Sequence, residues 1–86
     1  MNTNSTVIEL EDLRGTIAEL LELDPEEVTD DARFVQDLGV DSLLALEMQI
    51  VLEERYGVQL TETDLAEATS LRATYDLVTR KAAAVG

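Results

Sequence analysis

Apolar residues recur at three- and four-residue steps along most of the chain, the spacing of helices that each bury one face. From Glu9 to Leu23 the stripe is Leu10, Leu13, Ile17, Leu20 and Leu21. Gly15 interrupts this helix at a cost of up to about 1 kcal/mol against Ala, so the helix depends on tertiary packing. The following LDPEEV predicts a short turn, with Asp24 as its cap, Pro25 in its first position and Glu27 completing a capping box. The run from Thr29 to Asp41, TDDARFVQDLGVD, is rich in turn formers, and Phe34, Val35 and Leu38 are expected to tack it onto the core. A second helix starts at Asp41 or Ser42 and runs to Tyr56, where Gly57 stops it. Thr61 caps a short third helix through Ala66, with Asp64 in the capping-box position. The last helix follows Thr69 or Ser70, places Leu71, Tyr75 and Val78 on one face, and fades into RKAAAVG. Arg80 and Lys81 suit the negative end of its dipole. The pattern predicts an all-α fold, a small four-helix bundle with a short third helix and a long loop between helices one and two. One domain is expected over residues 9–80, between flexible ends at 1–8 and 81–86.

The second helix carries more apolar surface than one core requires. At about 100° per residue, Met48, Val51, Leu52 and Tyr56 share a stripe that Leu44 and Ala45 continue, and this is its core face. Leu43, Leu46 and Ile50 fall on another side, interleaved with Glu47, Glu53 and Glu54. An apolar patch rimmed by charge of one sign suits protein binding, with the alternative that the long loop or the third helix covers Leu46 or Ile50.

Charge sharpens that reading. Nineteen acids against six bases give a formal net charge of -13, which repels nucleic acid and anionic membrane and draws basic protein patches. The aliphatic composition, with 3% aromatic residues, suits helices, and the chain has neither Cys nor His. Disulfides and thiolate metal sites are therefore excluded. No apolar run approaches the length of a membrane span, and the polar MNTNSTV lacks the basic and apolar regions of a secretory signal, so a soluble cytoplasmic monomer is expected.

Candidate chemistry centres on Ser42. It can serve as a helix cap contributing about 1 kcal/mol, or as an acceptor that another protein modifies. An intrinsic nucleophile is excluded by the lack of an imidazole, because neighbouring Asp41 is a weak base in an ordinary environment.

The run FVQDLGVDSLLALEMQIVLEERYGVQL, residues 34–60, resembles the acyl carrier proteins, the small helical phosphopantetheine-binding domains of fatty acid and polyketide synthesis. It has their acidic loop, Leu-Gly-x-Asp-Ser-Leu, an amphipathic helix with Glu47, and an acidic pair before an aromatic residue. EEVTDDARF and TSLRATYDLV extend the likeness to nearly the whole chain.

The resemblance implies a carrier that is not an enzyme, holding acyl groups as thioesters on a phosphopantetheine arm. Ser42 would be the attachment point, flanked by Asp41 and Leu43, and a separate phosphopantetheinyl transferase would supply the base and Mg²⁺. No resident metal is expected. Leu43, Leu46, Glu47, Ile50, Glu53 and Glu54 match positions that family members present to partner enzymes, here an acyltransferase or other loading enzyme and a ketosynthase or other acyl-processing enzymes. The family's bundle can also open to shelter an acyl chain. Leu-Ala-Leu-Glu after the serine is closer to polyketide or other specialised-metabolite carriers than to housekeeping fatty acid carriers, and GVDSL argues against the peptidyl branch. From a different class, the alternative is a small acidic helical adaptor with no covalent group. An EF-hand-like calcium site is a much weaker reading, because DLGVDSLLALE lacks alternating oxygen ligands and the central Gly.

Overall fold

A computed structural model describes residues 8–85, with side chains through Ala83. It contains four α-helices: α1 at Leu10–Leu21, α2 at Ser42–Tyr56, α3 at Glu62–Glu67 and α4 at Leu71–Val85, with a 3-10 turn at Pro25–Glu27. No helix among the described residues is long and apolar enough to cross a membrane. The expected bundle, its short third helix and its long first connection are all present.

Each helix begins or ends for an identifiable reason. Glu27 accepts a hydrogen bond from the Asp24 amide at 3.0 Å, the Glu half of the expected capping box. At α3 the reciprocal box is complete: Asp64 N–H donates to Thr61 Oγ1 at 3.0 Å, and Thr61 N–H donates to Asp64 Oδ2 at 2.9 Å. Gly57 takes the left-handed conformation, φ 67°, and ends α2. The end of α1 differs from expectation. The helix ends at Leu21 and not at Leu23: Glu22 turns into the left-handed region at φ 60°, while Leu23 N–H closes back to Ala18 O at 2.9 Å. A side chain there is strained by roughly 1 kcal/mol. Glu22→Gly is therefore expected to leave the fold intact and raise stability by up to about 1 kcal/mol, visible as an increase in Tm.

The core is aliphatic. Leu13, Ile17 and Ala18 of α1, Met48 and Leu52 of α2, and Leu71, Leu77 and Val78 of α4 meet Val28, Phe34, Val40, Val58 and Leu60 from the connections. Of the three loop residues expected to anchor the long connection, Phe34 is buried and Leu38 packs partly against the core. Val35 instead points out and is 65% exposed. Adjacent loop residues cannot both face inward when Phe34 has its N–H tied to Thr69 O at 2.9 Å and Val40 N–H closes on Phe34 O. Arg72 N–H to Asp30 O, 3.0 Å, gives a second tie between this loop and the start of α4.

The two chain ends are more engaged than their composition implied. Residues 1–7 lie outside the described part, but Ile8 is buried and its carbonyl accepts from the Tyr75 hydroxyl at 2.9 Å. α4 does not fade after Arg80. Lys81 pairs with Asp64 at 2.8 Å and Ala82 packs on the core, so the helix continues to Val85.

All six basic side chains are held in ion pairs within the fold: Arg14 with Glu11 and Asp30, Arg33 with Asp37, Arg55 with Asp12, Arg72 with Asp30 and Asp31, Arg80 with Glu67, and Lys81 with Asp64. The Arg55 guanidinium, joined by the Tyr56 hydroxyl at 2.6 Å, holds the Asp12 carboxyl below its ordinary value. Lys81 and the Thr61 amide do the same for Asp64. A depressed carboxyl contributes stability that is present above its unfolded pKa, near 3.8, and lost as pH falls through the lower folded value. Acid unfolding is thus expected below about pH 4. In Asp64→Asn the slope of stability against pH in that limb should be shallower, with lower stability at pH 7, as urea melts across pH would show.

Candidate functional site

The segment Leu38–Ser42 places the candidate hydroxyl. Leu38 is half-buried, Gly39 adopts φ 72°, and Val40 is buried as an anchor, so the chain is turned sharply just before α2. Only glycine takes that left-handed bend without strain. Asp41 then accepts from Leu44 N–H at 2.9 Å and is the N-cap of α2. The capping role considered for Ser42 therefore belongs to its neighbour. Ser42 is the first helical residue, exposed and not consumed by capping. The first turn of α2 holds no acidic side chain, so its orphan amides and the positive end of the helix dipole face solvent beside the hydroxyl.

Leu43, Leu46 and Ile50 are 63%, 52% and 46% exposed, and neither the long loop nor α3 covers them. Their neighbours Met48 and Leu52 are buried, and Leu44, Ala45 and Tyr56 pack partly on the core, as the periodicity predicts, whereas Val51 of the same expected stripe is only half-buried and lines the groove between α1 and α2. Two distinct apolar faces coexist on one helix.

The three glutamates of that surface are not equivalent. Glu47 and Glu54 are exposed, and no ion pair among the described residues includes them. Glu53 is half-buried and accepts from Leu60 N–H at 2.9 Å, while Gln49 Nε2 donates to Leu60 O at 3.0 Å. These two α2 side chains bond the N–H and the C=O of Leu60 and hold the connection to α3. Nothing in the residue spacing distinguished Glu53 from Glu54, because the grip depends on where the returning chain passes.

A cavity of about 320 Å³ lies between the long loop, α2 and α3, lined by Phe34, Val40, Ala45, Met48, Leu52 and Leu65 among others, with exposed Val35 on its wall. Sequence reasoning missed Val35, since a loop offers no periodicity to sort inward from outward side chains.

Residues 11–78 match the family described as "Phosphopantetheine attachment site". The chain is 52% identical over 79 residues to the polyketide-8 synthase acyl carrier protein 2 of Streptomyces avermitilis, covering 92% of this chain and 91% of that protein. It is 33% identical over 75 residues to an acyl carrier protein of Thermosynechococcus vestitus, covering 87% and 93%. Among solved structures, the solution structure of the oxytetracycline acyl carrier protein superposes with a TM-score of 0.74 at 27% identity, covering 95% of this chain and 90% of that one.

Proposed function

This chain belongs to the phosphopantetheine-attachment family of acyl carrier proteins, and from that premise we infer that Ser42 is the residue carrying the arm and that the protein serves polyketide biosynthesis. The observation that carries the residue assignment is the division of labour at the head of α2: Asp41 caps the helix, leaving the Ser42 hydroxyl exposed. The pathway assignment is supported by the polyketide carrier of Streptomyces avermitilis and the oxytetracycline carrier.

The local chemistry fits a phosphodiester. An anion on the first residue of α2 meets the positive end of the helix, where the Asp41 carboxylate occupies the Leu44 amide and no further acidic side chain lies in the first turn. The attached group supplies a thiol that this cysteine-free chain lacks, and with it a thioester to an acyl cargo. The protein's own part is to keep the attachment point rigid and accessible, which the Gly39 bend and the buried Val40 anchor accomplish. The absence of a base near Ser42 is no defect, since a phosphopantetheinyl transferase brings its own. The chain is thus a substrate of other enzymes and not itself a catalyst.

Leu43, Leu46 and Ile50 form the apolar centre of the partner surface, and Glu47 and Glu54 steer basic patches on the loading enzyme, the ketosynthase and the transferase towards it. Such contacts are modest and brief, as a carrier that visits several enzymes requires. Glu53 contributes mainly by holding Leu60. The test of the reading is the intact mass before and after incubation with coenzyme A, Mg²⁺ and a transferase of broad specificity. A gain of one phosphopantetheine is expected, and a folded chain that takes up nothing would overturn it.

A further inference from the structure

A second surface, away from Ser42 and adjoining the proposed partner stripe of α2 through Glu54, lies in the groove between α1 and α2. Its volume is about 650 Å³, and it is lined by Glu11, Asp12, Gly15, Thr16, Glu19 and Leu20 of α1 and by Val51, Glu54 and Arg55 of α2. The floor is apolar or small at Gly15, Leu20 and Val51. Glu11 and Asp12 are already engaged, by Arg14 and by Arg55 and Tyr56. Glu19 and Glu54 are exposed, one on each wall, and no ion pair among the described residues includes either.

We propose that this groove docks a cationic side chain, Arg or Lys, projecting from a helix of a partner protein, its aliphatic stem on Leu20 and Val51 and its charged head between Glu19 and Glu54. Charge complementarity selects the occupant. The groove is net negative, and each of the six basic side chains of this chain already has an internal carboxylate partner, so a second copy of the chain, itself strongly acidic, would have to give up a pair to fill it. The phosphodiester on Ser42 is excluded by like charge and by distance, since Val51 lies nine residues along α2, roughly 14 Å of helix rise. The surface is also continuous with the apolar stripe. At about 100° per residue, Glu54 stands only about 40° around the helix from Ile50, on the side facing the groove. A partner helix resting on Leu46 and Ile50 thus has Glu54 beside it, and a long cation reaches past it to Glu19. Gly15 keeps that path open: a Cβ at this position meets no atom within 4 Å, so a larger side chain would project into the groove instead of the core.

The inference concerns partner choice and does not require Ser42 to be modified. Its test uses the ¹⁵N-labelled apo chain, titrated at low salt with an amphipathic helical peptide bearing a Leu stripe flanked by Arg, and with the same peptide carrying Gln for Arg. The Arg peptide should shift the amides of Gly15, Thr16, Leu20 and Val51, and the Gln peptide should not. Gly15→Leu, which fills the groove and favours helix, should raise the melting temperature yet weaken binding at least tenfold. Glu19→Gln with Glu54→Gln should weaken it about five- to tenfold, whereas Glu62→Gln, removing an exposed acid on α3, should leave it unchanged. Equal losses from Glu62→Gln, shifts confined to residues 43–50, or nuclear Overhauser contacts placing residues 1–7 of the same chain in the groove would each overturn the proposal. Uptake of phosphopantetheine by Gly15→Leu, read by mass, separates failure here from failure of the carrier assignment.

Discussion

Ser42→Ala is expected to abolish uptake of phosphopantetheine completely while shifting the stability of the apo chain by no more than about 0.5 kcal/mol. The two halves of this result test different statements. Loss of the mass gain assigns the attachment point, since no other hydroxyl sits at the head of α2 beyond the Gly39 bend. Preserved stability follows from the capping geometry: Asp41 accepts from Leu44 N–H, so removing the Ser42 oxygen leaves no orphan amide that was previously satisfied. Asp41→Ala should behave in the opposite manner, with a loss of about 1 kcal/mol and retained, slower modification. A fall of that size in Ser42→Ala instead would mean that the serine is the cap, and a residual mass gain would place the arm elsewhere. Both are read from one set of samples by intact mass and denaturant melts.

The second large effect separates the two apolar faces of α2. Leu52 is 1% exposed and among the largest fully buried side chains, so Leu52→Ala should cost about 3 kcal/mol through lost transfer energy and the cavity left behind. In a domain of this size that is a sizeable part of the total stability, and much of the population should unfold on moderate warming. Ile50, two residues away and 46% exposed, should lose less than about 1 kcal/mol on the same truncation. Yet Ile50→Ala is the variant expected to slow acyl transfer from a loading enzyme, because its side chain lies exposed on the face proposed for docking. Equal stability losses would show that the exposed stripe is packed in solution, and unchanged transfer in Ile50→Ala would remove it from the docking surface.

Much of this arrangement was legible in the residues alone, because it rests on periodicity and on local caps. The span of α2, its stop at Gly57, the capping box of Thr61 and Asp64, and the surplus face of Leu43, Leu46 and Ile50 all follow from positions within one helical turn of each other. What escaped depends on chain segments distant in sequence. Val35 faces solvent because the Phe34 backbone is tied to Thr69, and Glu53 is occupied because Leu60 returns past it. The continuation of α4 to Val85 has the same origin: RKAAAVG is a weak ending until Lys81 finds Asp64 seventeen positions earlier. The end of α1 at Glu22 was hidden for another reason, since a glutamate in a left-handed turn carries no compositional mark.

The link between Lys81 and Asp64 joins the last turns of the final helix to the shortest α-helix of the molecule. Asp64 closes the cap that starts α3, and α3 forms one wall of the cavity beside the long loop through Leu65. Thermal fraying at the far end of α4 therefore does not stay local. Unwinding of those turns strips Asp64 of its counterion while the reciprocal bonds with Thr61 remain, so α3 keeps its cap but loses its tie to the end of the chain.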